Sequence, residues 1–249
     1  MSLIYCRTLV KHSSIFLPAA ISFITAVQQI MIGTKCNNYD DALQTLLDIK
    51  DAGYEAKSFG TNTVVITGMY KFDYSNLDEV QNLAKRLNQA GQALSEEGIS
   101  LLYHNHNCEL QKVAPEKTAY DVIIEETNPE YVNFEFDSYW MADGAANVTA
   151  LMEKLGNRMK LWHINDRGCT KSGPYMTPIL KENATELGNG NMDLDKLSEI
   201  AIKNGVEGVV LETHKNWVDK DPIKSLQVSS ALGGKIRNAD LMSAECLEY

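Results

Sequence analysis

The chain has 249 residues, of which 44% are hydrophobic and 22% are charged, and it carries a formal net charge of −10. This composition is typical of a globular protein with a full hydrophobic core, and it excludes collagen, coiled coil and general disorder. Nucleic-acid binding normally requires a basic surface, so the acidic balance predicts a protein with no nucleic-acid partner.

The first 60 residues have an irregular pattern. Residues 3–10 and 29–33 are predicted as strands, and residues 40–52 as an amphipathic helix. The apolar stretch at 15–27 resembles a signal-peptide core, but it is too short to span a bilayer. We predict that this stretch is an uncleaved core segment and that the protein has no membrane partner.

From residue 60 onward, short apolar runs alternate with amphipathic helical segments. Strands are predicted at 63–67, 99–104, 131–137, 159–164, near 184–188 and at 208–212. Helices are predicted at 75–98, 116–127, 148–155, 194–204 and from about residue 221. Nearly continuous apolar strands that alternate with helices indicate a parallel sheet covered on both faces. We therefore predict one domain over residues 1–249, a parallel (β/α)8 TIM barrel of the α/β class whose first β/α unit is irregular or incomplete.

Polar residues near the predicted helices mark their ends. Ser75 is expected to cap the helix at 75–98, with Leu77 on its buried face, and Asn191 to cap the helix at 194–204. Gly156 and Gly205 are expected to close two helices. The turn at 188–191 resembles a phosphate cradle, but it lacks the GxGxxG spacing and a Walker lysine, so a plain turn is predicted.

Chemically active side chains gather where the predicted strands end, which is where parallel barrels carry their functional residues. They are His104, His106 and Glu109, then Glu135 and Asp137, then His163 with Asn165 and Asp166, and finally Glu212 with His214. Side-chain alternation places His104 and His106 on one strand face and Asn105 on the other. Each residue alone is compatible with a plain hydrogen bond or salt bridge, but the pattern repeated on four strand ends predicts a metal or acid/base site. Mixed imidazole and carboxylate donors suit Mn²⁺, Co²⁺, Zn²⁺ or Fe²⁺.

Four segments give the chain a family resemblance. Residues 103–110 read YHNHNCEL, close to a YHNHxFEF pattern in which Cys108 replaces an aromatic residue. Residues 155–167 (LGNRMKLWHINDR) are similar to LGxRxxxxHxKD, residues 186–193 (ELGNGNMD) to a GxGxxD turn, and residues 209–213 (VVLET) to a metal-bearing last strand. On these residues the chain resembles the sugar phosphate isomerase/epimerase family, the xylose-isomerase-like TIM barrels, over residues 60–235.

The resemblance implies a metal site and an activity. One divalent ion (Mn, Co, Zn or Fe) is expected on Glu109, Asp137, His163 and Glu212, with His104 or His106 replacing or supplementing Glu109. The implied activity is isomerisation or epimerisation of a sugar, sugar phosphate or cyclic polyol through an enediolate.

The expected roles divide between proton carriers and groups that orient the substrate. Glu212 and His106 are the candidate bases, and His104 or His106 is the candidate acid if the enzyme is instead a dehydratase. The side chains expected to orient a carbohydrate substrate are His214, Arg167 and Trp140, and Trp162 is either a second stacking surface or packing.

Other interpretations stay open at this point. A nuclease-like phosphodiesterase of the same barrel is disfavoured by the five histidines and the charge of −10. A non-catalytic sugar-binding barrel and a homo-oligomer both remain open.

The number of cysteines, five, is odd, and no two of them have CxxC spacing. This pattern favours free thiols and predicts a cytoplasmic protein.

Overall fold

The computed structural model describes residues 4–5, 30–34, 57, 61–69, 72–169, 182–212, 215–233 and 242–244. The predicted helix at 40–52, the apolar stretch at 15–27 and His214 lie outside the described residues. Within the described ranges, no helix is long and apolar enough to cross a membrane.

Twelve strands are described, and eight of them form one sheet. They are β1 Ile4–Tyr5, β2 Ile30–Thr34, β3 Thr63–Met69, β4 Ser100–His104, β5 Lys112–Ala114, β6 Lys117–Thr118, β7 Val132–Asp137, β8 Met159–Ile164, β9 Asp166–Cys169, β10 Glu182–Thr185, β11 Gly208–Leu211 and β12 Met242–Ala244. The large sheet has the order β1-β2-β3-β4-β7-β8-β11-β12. Its neighbours are parallel from β2 to β12, whereas β1 runs antiparallel to β2. The predicted parallel α/β architecture and irregular first unit are confirmed.

Helices follow most of the parallel strands. They are α1 Leu77–Ser95, α2 Ala119–Glu126, α3 Ser138–Asp143, α4 Val148–Leu155, α5 Leu194–Asn204 and α6 Pro222–Gly233. The apolar side of α1 buries Val80, Leu83 and Leu87, as their helical spacing predicts. The predicted ends of α4 and α5 are confirmed: Gly156 follows α4, and Gly205 follows α5 in the left-handed conformation with φ of 74°.

Strand alternation divides the buried residues into two sets. Tyr103 and Trp162 belong to the large core that the sheet shares with the helices. Val65, Leu102 and Leu161, at the alternate strand positions, form a separate cluster on the other face of the sheet. This other face, called the inner face below, carries the candidate site, because His104 and His163 lie two residues after Leu102 and Leu161.

The prediction that a strand near 184–188 belongs to the barrel sheet is wrong. Residues Glu182–Thr185 form β10, which pairs antiparallel with β9 and lies outside the large sheet. This short run is polar, and it pairs with a chain that folds back just after β8. The parallel position next to β11 is taken by β12, which the sequence did not reveal.

Three predictions at helix ends are also wrong. Asn76, not Ser75, caps α1, because the Ser75 hydroxyl and backbone N–H both donate to the Asp73 carboxylate. Leu77 is 39% exposed at the first position of α1 instead of buried. Asp193, not Asn191, caps α5, since the side-chain oxygen of Asn191 accepts a hydrogen bond from Cys169.

Candidate active site at the carboxyl ends of the strands

His163, near the end of β8, lies among three carboxylates. Its Nδ1 is 3.5 Å from Asp137 Oδ2 and 3.7 Å from Glu212 Oε2, and its Nε2 is 3.9 Å from Glu135 Oε1. The ring is fully buried, and neither nitrogen has a hydrogen-bond partner within the described residues. Because buried imidazoles are normally partnered, these two nitrogens mark a position for a further group.

His104, at the end of β4, is the second buried imidazole of the cluster. Its ring lies 4.6 Å from the His163 ring, edge to face, and its Nδ1 is 3.2 Å from Glu135 Oε2. The Glu135 carboxyl group orients the His104 ring through this contact, and the tautomer of His104 with its proton on Nδ1 donates that proton to the carboxylate. This leaves the Nε2 lone pair of His104 available for a ligand, as in the carboxylate–histidine pairs of metal sites.

The register of the sheet brings these residues together. His104 pairs with Glu135, and Asp137 pairs with His163. Glu212 follows β11 directly, and its backbone N–H donates to the carbonyl of Ile164 at 3.1 Å. The side chains come from neighbouring strands at one end of the inner face, so the predicted convergence of Asp137, His163 and Glu212 is present.

The electrostatics of the cluster favour a positive charge at its centre. Burial alone would lower the pKa of His163, but the charges of Glu135 and Glu212 and the contact with Asp137 outweigh burial and hold the pKa well above its ordinary value. Burial raises the pKa of Asp137, and the nearby charge of Glu212 adds to this effect. Buried carboxylates thus crowd one point, and a cation at that point relieves their repulsion.

The donor set fits a divalent metal ion. His104, Asp137 and His163 each offer a ligand atom, and these atoms lie within 4.8 Å of one another. Glu212 adds a carboxylate that is 7% exposed at the edge of the cluster. Two imidazoles with carboxylates suit zinc, manganese, cobalt or ferrous iron.

Glu109 lies in a different environment from the cluster. It is fully buried in a short 3-10 helix, Cys108–Leu110, and one carboxylate oxygen accepts the Tyr103 hydroxyl at 2.8 Å. The other oxygen accepts the backbone N–H of His106 at 3.0 Å and the Cys108 thiol at 3.1 Å. Since Tyr103 faces the helices, these contacts hold Glu109 against the segment that carries His106. The role of Glu109 as a ligand stays a prediction.

His106 and Trp140 lie beside the cluster. The His106 ring is 5.0 Å from the His104 ring and 5.7 Å from the Trp140 ring. Burial, together with the neighbouring imidazole of His104, lowers the pKa of His106 to about 4. His106 is therefore neutral at neutral pH and able to accept a proton. The partly buried Trp140 is held by its backbone N–H, which donates to Asp137.

Arg167 and Trp162, which were also predicted as candidate substrate contacts, interact with other parts of the chain. The Arg167 guanidinium forms ion pairs with Asp143 at 3.3 Å and Glu182 at 3.9 Å, so its charge is directed to neighbouring carboxylates. Trp162 is 1% exposed and donates to Ser138, which identifies it as a packing residue.

Two polar residues near the site position the groups around them. Asn105 exchanges two 3.0 Å hydrogen bonds with the backbone of Asp137 and so fixes the end of β7 against β4. Glu135 Oε2 lies 3.2 Å from His104 Nδ1 and orients that imidazole. Alternation alone could have revealed these roles, because it places Asn105 opposite the histidines and Glu135 beside Asp137.

The carboxylate of Asp166 fills the glycine-rich turn after β10. It accepts the backbone N–H groups of Gly188 at 2.9 Å, Gly190 at 3.0 Å and Met192 at 3.2 Å, and that of Arg167 at 2.8 Å. The turn that resembled a phosphate cradle thus holds an anion of its own chain, and it ties the residues after β8 to the start of α5.

Comparisons with known proteins agree with this architecture. Residues 27–228 match the family described as the xylose isomerase-like TIM barrel. An inosose dehydratase from Mesomycoplasma hyopneumoniae strain J is 27% identical over 202 residues, which are 75% of this chain and 66% of that protein. A second inosose dehydratase, from strain 7448, is matched over only 44% of its length. The chain therefore spans between about half and two thirds of these relatives.

Solved structures share the fold. A sugar phosphate isomerase/epimerase from Parabacteroides distasonis has a TM-score of 0.67 and 22% identity, with 82% of this chain and 68% of that chain covered. The IOLI protein with a bound zinc atom has a TM-score of 0.61 and 16% identity, with 80% of this chain and 72% of that chain covered.

Proposed function

This chain belongs to the xylose isomerase-like TIM-barrel family, and we propose that it is an enzyme that removes a proton from the carbon next to a carbonyl of a small polyol or sugar. The buried cluster of His104, Asp137, His163 and Glu212 at one end of the inner face carries the proposal. The inosose dehydratases among its relatives support a cyclic keto-polyol as substrate and loss of water as the outcome.

His104, Asp137, His163 and Glu212 would hold one divalent ion. When bound, such an ion polarises a carbonyl oxygen and stabilises the negative charge that develops on it. Glu135 contributes by holding the His104 imidazole in position, and a carboxylate in contact with that ring strengthens its donor character. The zinc atom of the IOLI structure supports zinc as the first metal to test, with manganese, cobalt and ferrous iron as the alternatives.

His106 is the proposed base, because its ring lies 5.0 Å from the His104 ring, next to the cluster and outside the group of closest ligand atoms. Its imidazole takes the proton from the substrate carbon, and the bonding electrons move to the carbonyl oxygen to give an enediolate. In a dehydration, the enediolate expels a hydroxyl from the next carbon, and that hydroxyl leaves as water with a proton from His106. Trp140 presents a ring beside this base, on which the apolar face of a polyol stacks.

Isomerisation or epimerisation of a sugar is the second candidate. It shares the first step and differs only in where the proton returns. The observation that favours it is that the cluster contains the Glu212 carboxylate, 7% exposed at its edge, in addition to the neighbouring imidazole of His106.

Proton exchange tests the proposal directly. In D₂O, the zinc-loaded protein should exchange the proton on the carbon next to the carbonyl of an inosose for deuterium. The loss of that proton signal is measured by proton NMR. His106→Gln should keep the metal but slow exchange by roughly 10²–10⁴-fold, the contribution of a general base. Glu212→Gln should lose the metal as well, whereas Glu199→Gln, on the exposed side of α5, should behave as the wild type. Wild-type exchange in His106→Gln would transfer the role of base to Glu212, and no exchange by the wild type, even in single turnovers, would refute the proposed chemistry.

The proposal includes the compartment and the partners. We place the protein in the cytoplasm, with a carbohydrate substrate and no nucleic-acid partner. The free thiols of Cys108 and Cys169 support a reducing environment.

A further inference from the structure

We infer that Asn165 determines specificity by donating a hydrogen bond from its side-chain amide to an uncharged oxygen of the substrate. This inference rests on the proposed function. It assigns a specific contact to a residue that was predicted only to lie at the end of a strand of the site.

The Asn165 amide is a buried donor that the fold does not use. Asn165 directly follows β8 and is 3% exposed, and its Nδ2 has no hydrogen-bond partner among the described residues. A buried amide N–H without a partner destabilises a fold, so proteins rarely keep one without a reason, and beside a binding site a ligand oxygen is such a reason.

The orientation of the amide is fixed. Its Oδ1 accepts the backbone N–H of Asp166 at 2.9 Å. Asp166 is itself held by the glycine-rich turn through Gly188 and Gly190. Rotating the amide by 180° would place an N–H group against the N–H of Asp166, so Nδ2 is directed away from the backbone.

Asn165 lies at the same end of the sheet as the candidate site. His163 precedes it by two residues, which places the two side chains on the same face of the extended chain. The hydrogen bond from the Glu212 N–H to the Ile164 carbonyl sets Glu212 beside residue 165. The donor therefore lies at the same end of the inner face as His163 and Glu212.

The chemistry of the amide selects its ligand. An amide N–H has no lone pair to give to a metal ion, so Nδ2 contacts an acceptor and not the metal. Hydroxyl and carbonyl oxygens of a polyol are such acceptors. The amide is neutral where the pattern LGxRxxxxHxKD has a lysine, which favours an uncharged oxygen over a phosphate.

Two variants at this position test the inference, with kinetics on an inosose and its monodeoxy analogues. Asn165→Ala removes the amide, and Asn165→Asp removes the donor while it keeps the acceptor for the Asp166 N–H. Both should lower kcat/KM for the inosose about tenfold, the effect of one neutral hydrogen bond. For the wild type, one monodeoxy analogue should have a lower kcat/KM than the inosose. For Asn165→Ala, the same analogue and the inosose should have equal kcat/KM. The hydroxyl missing from that analogue is then the one that Asn165 contacts.

Matched measurements separate this role from a structural one. Asn165→Ala should bind one metal ion per chain, as the wild type does. Asn204→Ala, which removes a 2.8 Å bond from a half-buried amide to the Met152 carbonyl, should lower stability and leave kcat/KM unchanged. If both Asn165 variants keep the wild-type kcat/KM and the wild-type ranking of analogues, the inference is wrong while the proposed function stands. If the wild type turns over none of these compounds and exchanges no proton, the proposed function and the inference both fail.

Discussion

Buried glutamates around the site differ in what their oxygens contact. Glu212 is directed to His163, whereas both oxygens of Glu109 already accept hydrogen bonds from Tyr103, His106 and Cys108. A carboxylate whose lone pairs are used in this way positions the segment around it, and a metal ion would have to replace these donors. The identity of a glutamate is therefore a weaker guide to its role than its hydrogen-bond partners are.

Metal content distinguishes the two roles. Glu109→Gln should still bind one ion per chain, because the cluster keeps its imidazole and carboxylate donors, but turnover should fall as the amide loses the hydrogen bond from the His106 N–H. Asp137→Asn should lose the ion, since it removes an anionic ligand. Metal analysis after dialysis measures both. A folded Glu109→Gln protein without metal would restore Glu109 as the ligand that the family resemblance implies.

The sequence reveals the site residues on strands better than those on turns. His104, Asp137 and His163 lie at strand ends, where the alternation of side chains fixes their direction. Glu109 lies in a 3-10 helix, where that rule no longer applies, so its direction could not be read from the chain. Asn165 could not be assigned either, because an unused donor is visible only once its surroundings are known.

At the level of elements, the glycine-rich turn depends on close contact with Asp166. A Cβ at Gly190 would collide with the Asp166 carboxylate, so the turn requires glycine there. Gly190→Ala should lower the free energy of unfolding by about 1–3 kcal/mol, the usual range for overpacking. Asn189→Ala, at an exposed position of the same turn, should stay within about 0.5 kcal/mol of the wild type. Urea unfolding of both measures the difference, and equal losses would show that the contact is easily relaxed.

The start of α2 gives a pH-dependent prediction. Burial alone would raise the pKa of Asp121, but hydrogen bonds from the Thr118 hydroxyl and N–H and from Lys154 outweigh it and lower the pKa. A lowered pKa contributes stability above the unfolded-state pKa of about 3.9, and this contribution is lost as the pH falls through the lower folded-state value. The stability difference between the wild type and Asp121→Asn should therefore be largest near pH 6 and shrink toward pH 2.

A control isolates this effect from general acid unfolding. Glu153→Gln changes an exposed carboxyl group on α4 and should follow the wild-type curve of unfolding free energy against pH. A constant difference between the wild type and Asp121→Asn over this range would contradict the role of the ionised Asp121 carboxylate at the start of α2.

Helix ends with one clear boundary signal could be predicted closely, and helix starts with competing polar residues could not. Val148–Leu155 and Leu194–Asn204 each end before a glycine, and both match the prediction. Ser75 and Asn191 failed as caps because each makes another hydrogen bond, to Asp73 and from Cys169, that local sequence does not reveal. The strand β12 is only three residues long, and its partner β11 lies more than 30 residues earlier in the chain.

At the scale of the whole molecule, a bound ion would join the carboxyl ends of β4, β7, β8 and the residue after β11. We predict that zinc raises the stability of the folded chain, by about 2.7 kcal/mol at a free concentration one hundred times the dissociation constant. Thermal unfolding with zinc and with a chelator measures this gain. Asp137→Asn should show little of it, and an identical Tm for the wild type under both conditions would contradict the metal site.

The parallel α/β architecture could be predicted because each apolar strand and each amphipathic helix carries its own pattern. The relative direction of β1 and β2 could not, since the pattern at 3–10 and 29–33 predicts two strands but not how they pair. The antiparallel pairing of Ile4–Tyr5 with β2 is a departure from barrel order that only the register reveals.

The carboxylate of Asp166 in the glycine-rich turn has a consequence for competition between ligands. Because the carboxylate is tethered to the turn it occupies, its effective concentration there is on the order of millimolar or higher, whatever the composition of the surrounding solution. A phosphate group from solution would have to displace this tethered anion and break four backbone hydrogen bonds to enter. The Asp166 carboxylate thus blocks the turn as a binding site for other anions. A phosphorylated sugar therefore gains no additional binding energy from this turn compared with an unphosphorylated polyol.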